Sequence, residues 1–245
     1  MFAEGTLIFG VLFCYILYVL IQSYTESRTG SVGGSNKQNN ELNNPIVKLN
    51  KNKKFGKFTL TDAVHLTENN NLIPTECYKI STVVTEGGKL IDSIIISASA
   101  EKLLHLLDRL ISELGNGLTV AIWEEQVDSE DVFIHYAYNK DSFFVQSVLL
   151  SFDDLLLCHG YVGLRFNTDE SAVFLEPNKV IIIETLNADS FLTILNDFEI
   201  IVDEKSKMYV EEEILIMGHK KFESEIERLK NELSVEESIL ISKEE

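Results

Sequence analysis

The chain has 245 residues, 45% of them hydrophobic, and a formal net charge of -18. Residues 1–57 carry seven Lys or Arg against three acids, whereas residues 58–245 carry fourteen against thirty-six, a net -22. A domain of that sign repels phosphate backbones, which argues against nucleic acid as a direct partner and favours a basic protein one.

Residues 6–24, TLIFGVLFCYILYVLIQSY, contain no charged side chain. As a helix they span about 28 Å, against about 30 Å for the hydrocarbon core of a bilayer. Leu7, Ile8, Phe9, Val11, Leu12, Phe13, Tyr15, Ile16, Leu17, Tyr18, Val19, Leu20 and Ile21 are therefore read as the lipid-facing body of a single membrane anchor. A cleaved signal peptide needs a basic n-region and a small-residue cleavage site. Residues 1–5 have no Lys or Arg, and residues 22–25 form no A-x-A pattern. Complete apolarity also argues against a core helix of a small domain. Arg28 and Lys37 follow the span and no Lys or Arg precedes it, so the positive-inside rule places the rest of the chain in the cytoplasm.

Residues 26–44 are rich in Gly, Ser and Asn and lack apolar periodicity, the composition of a flexible tether. A basic cluster follows, with Lys48, Lys51, Lys53 and Lys54 interleaved with Phe55 and Phe58. Two readings fit it. Its lysines contact anionic lipid headgroups, at about 1 kcal/mol per charge near the surface, or they form the solvated face of the domain's first strand.

The soluble domain is expected over residues 58–218. Residues 78–85 and 89–97 read as β-branched strands joined by the turn signal Glu86-Gly87-Gly88. Ser99 is placed to cap a helix over 100–114, whose stripe runs through Leu103, Leu106, Leu107, Leu110 and Leu114. Gly115 sits where that helix should stop. Three further strands are expected at 118–124, 132–138 and 143–150, then a short helix ending at Leu157, with Ser151, Asp153 and Asp154 at its start. Residues 172–198 repeat the order of the earlier stretch: strand, turn with Glu then Lys, an Ile-Ile-Ile strand, a cap residue (Asn187) and an amphipathic helix. A duplicated β-β-α unit explains this, as does chance recurrence of a common motif. Either way the fold class is α+β, an antiparallel sheet with helices on one face.

Residues 219–233 form an amphipathic helix in which Phe222, Ile226, Leu229 and Leu233 make one apolar stripe, with a fraying tail to 245. The stripe must be covered, by the domain itself or by a partner. It follows the last strand-like run after the punctuating Gly218, so it is expected to be the partner-binding element, with Glu225, Glu227 and Glu232 facing basic groups.

Chemistry-bearing motifs are sparse. Cys14, Cys77 and Cys158 are isolated, which suits a reducing compartment and neither a disulfide framework nor a zinc site. No H-x-x-x-H spacing, phosphate loop, dinucleotide fingerprint or nucleophile elbow occurs. No cofactor or metal is expected. Cys158 and His159 are sequence neighbours, which on extended backbone point apart. The expected function is a membrane-anchored subunit, in an oligomer or hetero-complex, whose acidic domain binds a basic or helical protein partner. A basic toxin or nuclease under inhibition is a special case. The alternative is an enzyme assembled from dispersed residues, with His135, Asp141, Asp153 and His159 as candidates.

Overall fold

The structure is a computed structural model that describes residues 53–68, 70–84, 88–126 and 131–241. The expected anchor at 6–24, the tether, Lys48 and Lys51 lie outside the described residues. Among the described residues no helix is long and apolar enough to cross a membrane.

The fold is α+β. Strands β4 (Cys77–Val84), β5 (Leu90–Ser97), β6 (Leu118–Glu125), β7 (Val132–Lys140), β8 (Val162–Asn167), β9 (Ser171–Leu175), β10 (Ile181–Thr185), β11 (Ile201–Val202) and β13 (Glu237–Ile241) form one nine-stranded sheet. Its order is β11-β4-β5-β10-β9-β8-β6-β7-β13. All neighbours are antiparallel except β11 and β4. Two small pairs precede or flank it: β1 (Lys54–Phe55) with β2 (Phe58–Thr59), and β3 (Val64–Leu66) with β12 (Ile214–Ile216). Among the described residues there are five α-helices: α1 (Ala100–Leu114), α2 (Ser142–Leu149), α3 (Asp153–Cys158), α4 (Asp189–Asp197) and α5 (Glu223–Glu232).

Alternation along the strands sets the core. Ile94 and Ile96 pair with Ile183 and Ile181, which pair in turn with Val173 and Leu175. Leu164 and Phe166 continue the rows to Ile122 and Val120. All these side chains belong to one buried cluster with Leu103, Leu107 and Leu110 of α1, Val145 of α2, Leu155 of α3 and Phe191 and Leu195 of α4. The opposite face carries the row Ile95, Ile182, Phe174, Arg165 and Ala121. Its middle is covered by a second cluster built from Phe58, Leu60, Val64, Leu66, Val180, Tyr209 and Ile214, against which Ile95 and Ile182 pack. The sheet is therefore packed on both faces at its centre, more than a one-sided antiparallel sheet requires.

The two hairpin–helix segments, β4-β5-α1 and β9-β10-α4, meet at the centre of the sheet. Their isoleucine triplets pair antiparallel about Ile95 and Ile182. The helices that follow pack on one another, and Lys102 of α1 donates to the Phe198 carbonyl at the end of α4 and to Glu76. The expected caps behave differently. Ser99 makes no side-chain capping bond to α1 and donates to Glu76, and α4 begins after Ala188, with Asn187 accepting from the Asp189 amide. Gly115, at φ 75°, closes α1 as expected.

Three expectations are corrected. Residues 143–150 are not a strand: Asp141 accepts from the Phe144 amide and caps α2 instead. Val145, Val148 and Leu149 then point inward at helical spacing. The chain beyond 218 is not a separate appendage. Phe222, Ile226, Leu229 and Leu233 are buried in the main core, at 2%, 2%, 0% and 0% exposure. Their stripe is covered by this chain itself, so it offers no surface to a partner. The expected frayed tail contains β13, which pairs with β7 as a sheet edge.

Candidate functional site

The four dispersed candidates do not converge. Asp141 is spent on the α2 cap. Asp153 lies in the first turn of α3. His159, at the end of α3, is 2% exposed and accepts from the His219 amide through Nδ1. The edge of Tyr161 and the ring of Phe222 enclose it. Burial, with Lys179 and His219 nearby, lowers its pKa to about 4, so it holds no proton at neutral pH. Its neighbour Cys158 is half-buried beside Asp62, and burial and the Asp62 and Asp154 charges push the thiol up. That is the reverse of nucleophile activation.

His135 is the candidate that sits in a polar constellation. It lies on β7 between Glu124 of β6 and Ser238 of β13, beneath α5. Its Nδ1 is 2.8 Å from Ser238 Oγ, and its Nε2 is 3.0 Å from Glu124 Oε2. The same carboxylate oxygen accepts from Lys230 at 3.0 Å, and Lys230 also pairs with Glu227. The hydrogen bond from His135 holds the Glu124 carboxyl below its usual range, with Lys230 adding to it. Burial opposes the charge of Lys230, but its bonds to Glu227 and Glu124 raise it overall. A cleft of about 280 Å³ opens beside this network, lined by His135, Lys230, Asn231 and Ser238 among others. In the tautomer with its proton on Nε2, His135 presents a lone pair to an exposed serine hydroxyl. Sequence reasoning singled out His135 alone, because Glu124 and Ser238 join it only through strand pairing.

A second buried polar group lies in the β9–β10 turn. Lys179, 1% exposed and at φ 65°, donates to the Val162 carbonyl at 3.3 Å. Burial lowers its pKa to about 7, and burial raises that of Glu176 to about 7. Nothing in the residue types of Glu176-Pro177-Asn178-Lys179 distinguishes them from an ordinary exposed turn.

One exposed apolar surface is on α2; others lie at the paired residues Val84 and Leu90 and on β11 at Ile201 and Val202. Phe143 is 77% exposed, Phe144 39% and Leu150, just past the helix, 71%. Phe143 and Leu150 are seven residues apart and Ser147 lies between them, so they share one helix face. Asp141 stands before this face, and Asp153 and Asp154 stand after it. Arg228 donates to the Ser151 carbonyl, lies over the Phe152 ring and pairs with Glu232.

Of the expected lipid-contacting lysines, Lys53 is otherwise engaged: its ammonium donates to the Thr61 and Val64 carbonyls, and burial lowers its pKa. That corrects its assignment. Lys54, on β1, remains exposed. Among the described residues no three His, Cys, Asp or Glu side chains are placed to hold a metal ion. No protein-family model, curated protein or solved structure matches the chain.

Proposed function

We propose that this protein is a membrane-anchored interaction subunit whose acidic domain docks a basic, apolar-faced segment of another protein in the cytoplasm. The observation that carries the reading is the exposed face of Phe143, Phe144 and Leu150, flanked by Asp141, Asp153 and Asp154. Large apolar side chains left out together on a helix face mark contact surfaces, and carboxylates around them select a partner of opposite sign. Residues 7–21 supply the anchor, and Lys48, Lys51 and Lys54 hold the juxtamembrane segment near anionic lipid. The pairing of the two isoleucine triplets supports internal duplication of a β-β-α unit as the origin of the scaffold. The test is co-purification from detergent-solubilised membranes with wild type and with Phe143→Ser/Leu150→Ser. The reading requires that the variant lose a partner, that the melting temperature stay within about 2 °C, and that raised salt weaken the wild-type complex. Retention of every partner by the variant contradicts it. Topology is tested separately: protease added to intact cells must leave the domain uncut.

A second reading rests on Ser238, His135 and Glu124, which stand in the order nucleophile, base and orienting carboxylate. It keeps the membrane-tethered enzyme in play as an acyl-transfer hydrolase. Labelling of Ser238 by a fluorophosphonate supports it, and absence of labelling at millimolar probe removes it.

A further inference from the structure

We propose that the open half of β4 takes an extended segment of another protein as an added strand, with a basic side chain over Thr82 and an apolar one over Val84. This goes beyond the docking surface on α2 and uses different residues.

β4 is an eight-residue strand paired along its whole length with β5. Its other side is covered only at the start. β11 pairs with Cys77 and Tyr78, and then the Asp203 carboxylate accepts from the Lys205 and Ser206 amides in a turn that carries the chain away. The Asp203 amide donates to the Tyr78 carbonyl, and the Ile80 amide donates to Glu204 at 3.2 Å. Tyr78 and Ile80 therefore aim their backbone groups away from β5. In an antiparallel ladder those groups alternate between the two sides with a period of two residues. Thr82 and Val84 aim theirs outward as well, and among the described residues no strand lies beside them. Folded proteins blunt such an edge with Pro, charge, a bulge or a very short strand, because bare backbone groups template association. Residues 81–84 have no charge, Pro or Gly; all four are exposed and three are β-branched.

The side chains say what kind of strand fits. Thr82 and Val84 share one face, and β5 sets Asp92 and Leu90 directly opposite them on that face. Val84 is 68% exposed and Leu90 64%. The Thr82 hydroxyl donates to Asp92 at 3.0 Å. An added strand lies about 4.8 Å from β4. A Lys or Arg opposite Thr82 then reaches over that short side chain to the Asp92 carboxylate. An apolar residue two positions along covers Val84 and Leu90. Glu204 puts a second carboxylate at the Ile80 end, and the neighbouring cation Lys79 is held by Glu211. Main-chain hydrogen bonds supply affinity in this mode of binding, and the side-chain positions supply specificity. The occupant is an extended segment with a basic and an apolar residue two positions apart.

The experiment is fluorescence anisotropy of a dye-labelled peptide, Thr-Val-Thr-Arg-Thr-Val-Thr, blocked at both ends and titrated with the full chain in detergent. Its Arg has a Val two residues away on either side, so both strand directions present the required pair. Saturable binding is expected, roughly tenfold weaker for the peptide with Glu in place of Arg and about threefold weaker for Asp92→Asn. Thr82→Pro removes an outward donor without touching the β5 ladder and should abolish binding at a melting temperature near that of wild type. Val84→Lys, which charges the edge, should also abolish it and serves where Pro disturbs the fold. Phe143→Ser/Leu150→Ser must leave binding unchanged, which separates this contact from docking on α2. No saturable binding overturns the proposal, as does equal affinity for the Arg and Glu peptides. So does binding that survives Thr82→Pro and Val84→Lys, or that is lost in the α2 variant.

Discussion

The rings of His159 and Phe222 lie 5.5 Å apart, and each side chain is 2% exposed. One belongs to the end of α3 and the other to the turn before α5, so this contact ties the C-terminal segment to the body of the domain. Phe222→Ala is expected to cost about 3–5 kcal/mol, because the cavity would lie among groups that cannot close over it. For a domain of this size that lowers the melting temperature by about 10 °C. Cutting the chain after Gly218 removes Phe222, Ile226, Leu229 and Leu233 together, along with a strand of the sheet. Circular dichroism of such a fragment should show no cooperative transition, whereas residues 53–245 should melt cooperatively.

The same histidine makes stability depend on pH. Folded, it binds a proton only near pH 4; unfolded, near 6.5. Between those values the unfolded chain holds more protons, so this group's contribution is present above about 6.5 and is lost as pH falls toward 4. The full loss is about 3 kcal/mol. Glu176 works in the opposite direction: raised to about 7, it favours the folded state below its unfolded value and that contribution is lost as pH rises through 7. His159→Gln keeps an acceptor for the His219 amide but cannot titrate. Its melting temperature should lie below that of wild type at pH 7, and the gap should shrink steadily as pH drops to 4.5. A constant gap would show that the ring is not the group responsible.

Gly160 is a packing requirement. Its amide donates to the Met217 carbonyl at 2.8 Å, and a Cβ there would meet the Ile216 side chain and stand 3.1 Å from the Met217 oxygen and 3.2 Å from that of Ala63. Two of those atoms are backbone and cannot step aside. Gly160→Ala should destabilise by about 2 kcal/mol, read as a lower urea midpoint with an unchanged slope. An unchanged midpoint would mean that β12 and β3 are not fixed against this turn.

Much of the scaffold could be read from residue order. The β4–β5 hairpin, α1 with its Leu103–Leu110 stripe, and the recurrence of strand, strand and helix around Ile181–Ile183 all follow from local periodicity. What failed did so for physical reasons. Phe143 to Leu150 is β-branched and aromatic enough to suggest a strand, but one side-chain cap from Asp141 made it a helix. An apolar stripe in sequence carries no information on whether it faces its own core or a partner. Phe222 to Leu233 went inward, while Phe143 and Leu150 on and just past α2 stayed exposed. The polar network was illegible for another reason: Glu124, His135 and Ser238 are brought together by register across three strands, and residue type alone does not encode register.

The interaction reading is tested most directly where the contact is claimed. A photo-crosslinking residue placed at 143 or 150 of the full chain, irradiated in intact cells, should form a discrete adduct with one partner. The same residue at position 73 should not, since Ile73 is an isolated apolar side chain, 69% exposed, in the loop before β4. Adducts confined to 143 and 150 are the predicted result. No adduct at either position, or the same adducts at 73, would contradict the claim that the α2 face docks a partner.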